Sequence, residues 1–317
     1  MEIYETTREI AQRKNWLLSL VVIVLITFGV LIVLQGIALF VALFLFGIDL
    51  DSVVKLMSGD TNIPNGRMAL YFIQGVGSGI GFLIAAFIVA KGIDHADLGL
   101  KRQLQRLSSS KLFLTLLITL GGMFFNALLV YLNAQLELPG FLSELEAWMK
   151  EMEDQLTEMT MFLTDFQSVS ELLVGLLVIG VLAGLGEEVF FRGVVQPKMH
   201  LYTGSYHWGI WITAFIFSAI HMQFYGFLPR MFLGALFGYL YVYSGSLIYP
   251  IVAHILNNSI TVLLIYFAKQ GMVDFDIEST ETVSYPLALL GLLVVSAGIY
   301  YFNKTKLLPH EGLDQNL

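Results

Sequence analysis

The chain has no cysteine, and only 13% of its 317 residues are charged. The first absence excludes disulfides, thiol nucleophiles and cysteine-ligated metal. The second sets it apart from soluble domains, where about a quarter of residues carry charge. There is no basic excess either: the net charge is -8, which gives no basis for nucleic-acid binding. No internal repeat of the kind found in inverted-repeat transporters is visible.

What is there is apolar. Hydrophobic residues make up 56% of the chain and the mean hydropathy is +0.74. A spanning helix needs about 20 apolar residues. Eight stretches qualify, at roughly 16–47, 68–90, 112–134, 170–196, 207–224, 228–245, 248–268 and 284–302. The expectation is an all-α polytopic membrane protein with about eight transmembrane helices, forming a single membrane domain over 1–317 with no room for a soluble one. The first run is far longer than a signal-peptide core and no small-residue cleavage site follows, so it reads as an uncleaved helix.

Loop charge sets orientation. Arg8, Arg13 and Lys14 precede the first span, Lys91, Lys101, Arg102, Arg106 and Lys111 occupy the second loop, and Lys304 and Lys306 follow the last span. The alternate loops are acidic, with Asp49, Asp51 and Asp60 in the first and Asp274, Asp276, Glu278 and Glu281 in the seventh. The positive-inside rule then puts both termini in the cytoplasm.

The third loop, about 135–169, places Leu142, Leu145, Trp148, Met149, Met152, Leu156, Met159 and Phe162 at helical spacing among Glu144, Glu146, Glu151, Glu153, Asp154 and Glu158. This is an acidic amphipathic helix. Two readings stand: a helix resting on the bilayer or on its own bundle, and a lid or docking element for substrate. Its charge would repel anionic lipid. Gly75, Gly77, Gly79 and Gly81 in the second span, and Gly234 and Gly238 in the sixth, fit close helix packing.

Ionisable side chains are costly in hydrocarbon and mark functional sites by default. They fall in three apolar patterns: Glu187-Glu188-Val189-Phe190-Phe191-Arg192, Phe217-Ser218-Ala219-Ile220-His221, and His254-Ile255-Leu256-Asn257-Asn258. Neighbouring helical residues point about 100° apart, so Glu187 and Glu188 serve different faces. Glu188 and Arg192, at i,i+4, can pair, which leaves Glu187 free to act as a general base. A structural ion network of both glutamates with Arg192 is the competing reading. Phe217 and His221 share a face, as do His254 and Asn258. A neutral histidine and an amide both donate hydrogen bonds, as an oxyanion hole requires; interhelical hydrogen bonding is the plainer alternative. Glu187 and His221 lie 14 and 15 residues from the connection that joins their helices, so both sit about 20 Å from it at ~1.5 Å per residue. Pro197 would bend or end its helix and shorten that estimate. His254 follows Pro250 closely, which fits a Gly245–Pro250 connection that dips into the protein.

The Glu-Glu-x-x-x-Arg, Phe-x-x-x-His and His-x-x-x-Asn motifs, in this order on successive apolar segments, resemble the CAAX prenyl protease and bacteriocin-processing family over about 170–265. The resemblance implies an eight-helix intramembrane protease with this segment as its catalytic core. It implies that Glu187 and His221 activate the attacking water, that His254 and Asn258 hold the oxyanion, and that Glu188 and Arg192 support the site alongside Phe217. It implies a membrane-associated peptide partner, a prenylated CAAX sequence or a leader peptide, met at the lipid bilayer. No cofactor is needed for a glutamate-activated water. The alternative is a zinc metalloendopeptidase with Glu187, His221 and His254 as ligands, although the chain lacks His-Glu-x-x-His. A non-catalytic immunity or scaffold protein and a proton-coupled transporter are the rival functions.

Overall fold

In hydrocarbon every backbone amide must be satisfied within the chain, so each crossing segment is a helix. The computed structural model describes residues 4, 12–58, 62–96, 98–274 and 283–305. Of the charges used above for orientation, Arg8, Asp60, Asp276, Glu278, Glu281 and Lys306 lie outside these. The regular structure of the described residues is helical throughout. In chain order the helices are α1 (Trp16–Phe46), α2 (Leu50–Met57), α3 (Gly66–Ile93), α4 (Leu100–Gln105), α5 (Ser109–Ala134) and α6 (Ser143–Leu163). They continue with α7 (Val169–Thr203), α8 (Tyr206–Ala219), α9 (Phe227–Ser244), α10 (Ile248–Lys269) and α11 (Tyr285–Lys304).

Six of these helices (α1, α3, α5, α7, α10 and α11) are long and apolar enough to cross a membrane. The protein is therefore an all-α, multi-pass integral membrane protein. The fifth and sixth expected spans exist as α8 and α9, but run for only 14 and 18 residues. The expected span 207–224 ends early because the chain turns at Ile220. Pro197 does not end its helix: α7 runs on to Thr203. A wide π turn over Phe191–Val195 comes just before it, and such turns reset the hydrogen-bond ladder that proline would otherwise break.

α7 is the central element and packs on α3, α8 and α10, while α5 packs on α9, α10 and α11. The glycines make this possible in two directions. On α3, Gly77 and Gly81 face α1, where an added Cβ would meet Gln35 at 3.0 Å and Leu31 at 2.7 Å. Gly75 and Gly79 face α7, against Leu182 at 3.4 and 2.9 Å. Between α3 and α7 the tightest approach is at Gly186, one residue before Glu187, where a Cβ would run into the Gly79 carbonyl oxygen. On α9, a Cβ at Gly234 would stand 3.2 Å from the Ala214 backbone and one at Gly238 2.9 Å from Ile210.

The acidic segment forms α6 as the periodicity predicts. It docks on the chain that follows His221: Trp148 meets Phe224 with ring centroids 5.5 Å apart, and the Tyr225 N–H donates to Glu153 at 3.3 Å. Arg67 ties its end to α3, donating to the Phe162 carbonyl at 2.8 Å and pairing with Glu171 at 2.6 Å. The connection before Pro250 is buried, with Ser246 and Leu247 enclosed and the Leu247 N–H donating to Gln103 at 2.8 Å.

Gly186→Ala should force α3 and α7 apart, because its nearest contact is backbone. The expected cost is about 1–3 kcal/mol, read as a lower melting temperature of the purified protein together with impaired activity. Gly29, which has nothing within 4 Å of an added Cβ, should tolerate alanine without loss; equal melting of both variants would refute the contact.

Candidate active site

Two buried charges organise the centre. Arg192 and Glu188 are fully enclosed and pair at 2.6 Å across one helical turn. The second Arg192 amino group donates to the Gly234 carbonyl at 2.8 Å. The guanidinium lies between the Phe217 and Phe237 rings, 4.9 and 5.6 Å from their centroids. Buried ion pairs persist only where further hydrogen bonds compensate desolvation, and here a carbonyl and two aromatic faces do so.

Glu188 has a second partner. His254 Nδ1 stands 2.8 Å from the same carboxylate oxygen. The imidazole stacks on Phe237 at 5.1 Å and meets the edge of Phe217 at 5.9 Å. Its Nε2 faces Glu187, 3.9 Å away. A carboxylate held by Arg192 can only accept, so Nδ1 carries the proton. A neutral His254 then presents a lone pair at Nε2. This corrects the expectation of a neutral donor: only the doubly protonated ring can donate toward a reacting oxygen.

His221 lies just past the end of α8, not within it. Its Nδ1 is 2.7 Å from the Phe217 carbonyl, and its ring stands edge-on to Phe217 at 5.1 Å. A carbonyl accepts, so Nδ1 again carries hydrogen and a neutral Nε2 is left as an acceptor. Met222, the next residue, has φ of 56°, a left-handed conformation uncommon outside glycine, and it turns the chain sharply away from the site. Glu187 and His221 line one cavity of about 410 Å³, walled by Leu20, Val24 and Phe28 of α1 and by Phe82, Phe190, Phe191, Ile216 and Ile220.

Asn258 donates to the Ile179 carbonyl at 3.0 Å and its oxygen accepts from Asn257 at 3.3 Å. These bonds fix the amide plane and use one of its two N–H groups. Sequence reasoning gave no role to Phe237, Asn257 or Arg230, and took Gly234 as a packing residue only. Asn257 lay inside the third motif pattern, and Phe237 and Arg230 carried no signal. Among the described residues, no three His, Asp or Glu side chains are grouped as a metal ion requires. Glu187, His221 and His254 as arranged therefore do not fit a three-ligand zinc site, and no step is derived through one.

A carboxylate pair, two imidazoles and a carboxamide enclosed by membrane helices define a class: multi-pass membrane proteins with ionisable groups gathered inside the bundle. Within that class, residues 169–260 match the type II CAAX prenyl endopeptidase Rce1-like family. The matched segment runs from α7 into α10 and contains every residue of the centre. At family level this supports a protease-type enzyme. The chain is 32% identical over 103 residues to an uncharacterized 24.3 kDa protein of Escherichia coli, covering 30% of this chain and 46% of that one. It is 28% identical over 109 residues to the uncharacterized protein YpbD of Bacillus subtilis (strain 168), covering 32% and 53%. The chain thus spans about half the length of these relatives. No solved structure matches it.

Arg192→Ala leaves Glu188 without its cation and should cost about 3–5 kcal/mol, seen as a loss of folded yield and melting temperature. Arg192→Met placed on Glu188→Gln should cost much less, because no charge is stranded and the amide oxygen still accepts from His254. Equal losses in both backgrounds would show that the pair is not the stabilising unit.

Proposed function

We propose that the chain is an intramembrane endopeptidase that cuts a membrane-associated peptide, prenylated or leader-like, with water activated by Glu187 and His221. The observation that supports this most is a division of labour. Glu188 is occupied by Arg192 and His254, while Glu187 and His221 remain at the wall of a shared apolar cavity.

In this reading the water oxygen attacks the scissile carbonyl as a proton passes to Glu187, with the His221 Nε2 lone pair accepting the water's other hydrogen bond. The carbonyl oxygen becomes an oxyanion held by His254 Nε2–H and the free N–H of Asn258. The carbon–nitrogen bond then breaks and the proton held by Glu187 moves to the departing amine. With His254 doubly protonated, the charges of Glu187, Glu188, Arg192 and His254 cancel, which suits a low-dielectric site. The apolar wall from α1 suits a lipid-like or apolar substrate segment. Both termini are placed in the cytoplasm, on the loop charges.

The test is cleavage of fluorogenic membrane peptides, with and without a prenyl group, in proteoliposomes. Glu187→Gln should lower turnover by about 10²–10⁴-fold while the protein stays folded. Asn258→Ala should lower kcat by roughly 10²–10³-fold with KM little changed. A strong chelator should leave activity intact. One equivalent of zinc that tracks with activity would overturn the metal-free mechanism. A folded chain that cuts no member of the panel would favour the immunity or scaffold role.

A further inference from the structure

Arg230 is a cation that the three motifs do not use. It lies in the first turn of α9. One amino group donates to the Gln223 side-chain oxygen at 2.5 Å. The other, Nη1, is buried and has no hydrogen-bond partner among the described residues. The guanidinium folds against Gly226, where an added Cβ would stand 3.2 and 3.5 Å from its two amino groups. Gly226, Gln223 and Tyr225 form one wall of a cavity of about 570 Å³ roofed by α6. The charges of Glu153 and Glu187 act on Arg230, and His221 feels its charge. Through its contacts with Gln223 and Gly226, the guanidinium is set beside the cavity under the acidic helix.

We propose that Arg230 is a specificity-determining residue that receives a carboxylate of the substrate beside the scissile bond, a role that rests on the proteolytic reading above. A buried guanidinium N–H left unbonded is costly, and its planar fork matches a carboxylate better than any other common peptide group. Gln223 satisfies part of that fork but carries no charge. Glu153, the other carboxylate whose charge acts on Arg230, accepts from the Tyr225 N–H. The acidic face of α6 repels anions at range, so a carboxylate is retained only where the guanidinium meets it. Two sources share this chemistry: the free α-carboxylate of a peptide's C-terminus and an aspartate or glutamate side chain.

The experiment measures binding rather than turnover, on the full chain carrying Glu187→Gln in detergent micelles. The probes are three fluorescent palmitoylated octapeptides: one with a free C-terminus, the same peptide amidated, and the amidated peptide with a single aspartate. At least one carboxylate probe should bind about tenfold or more tighter than the neutral amide; whichever does so identifies the source. In Arg230→Gln the three should bind alike, and Arg230→Lys should keep part of the preference. Gly226→Ala, which presses on the guanidinium without removing it, gives an independent arm should Arg230→Gln fold poorly, and should also weaken the preference. Equal binding of all three probes with Arg230 present, or a preference that survives its removal, overturns the proposal. Failure of the unsubstituted chain to cleave any of these peptides in proteoliposomes would instead count against the protease reading, and would leave a carboxylate preference standing.

Discussion

Burying charge among hydrocarbon helices is the constraint around which this molecule is built. Glu188 and Arg192 neutralise each other at 2.6 Å, but an ion pair alone rarely repays its desolvation. Further contacts to the pair come from other helices. Gly234 of α9 gives a carbonyl, Phe217 of α8 and Phe237 of α9 give ring faces, and His254 of α10 gives an N–H. One buried pair thus draws α7, α8, α9 and α10 to a single point. The same contacts orient His254 Nε2 toward Glu187. Stability and site geometry are here one set of bonds, so changes at the pair reach the face that carries Glu187.

Such convergence requires backbones close enough for short side chains to meet. Gly186 touches the Gly79 carbonyl region, and Gly234 and Gly238 lie against Ala214 and Ile210. Without a hydrophobic drive between helices in lipid, small residues and van der Waals contact supply the association. The π turns at Leu176–Leu182 and Phe191–Val195 flank the Glu-Glu pair, in keeping with the frequent occurrence of such turns at functional sites. They let α7 deliver Glu187 to the cavity while Glu188 and Arg192 stay turned toward α9 and α10.

The surroundings of the centre are unequal. One side of it meets an apolar cavity bounded by α1, and the other meets the loop after His221, held under α6 by Trp148 and Glu153. Burial pushes the Glu153 carboxyl above its usual range, against the lowering effects of the Tyr225 N–H and Arg230. An acidic group at that position ties α6 to the loop that carries His221.

The helical membrane class, the α6 helix and the Glu188–Arg192 pair were all legible in the sequence, because hydrophobic run length and i,i+4 spacing are local properties. The three motifs likewise marked Glu187, His221, His254 and Asn258 as candidates, because their spacing is local too. Span lengths were less legible: the stop of α8 at Ala219 depends on a turn through Met222 that no glycine or proline signals. The bond from His254 to Glu188, the seat of Asn258 on Ile179, the Phe237 stack and the place of Arg230 could not be read at all. Each joins segments far apart in the chain, and its existence depends on how closely and in what register two helices pack. The sequence alone thus determined which groups must be hidden from lipid; the tertiary structure decided which of them neutralise one another and which remain open to the cavity, because only the packed bundle sets the distances on which those pairings depend.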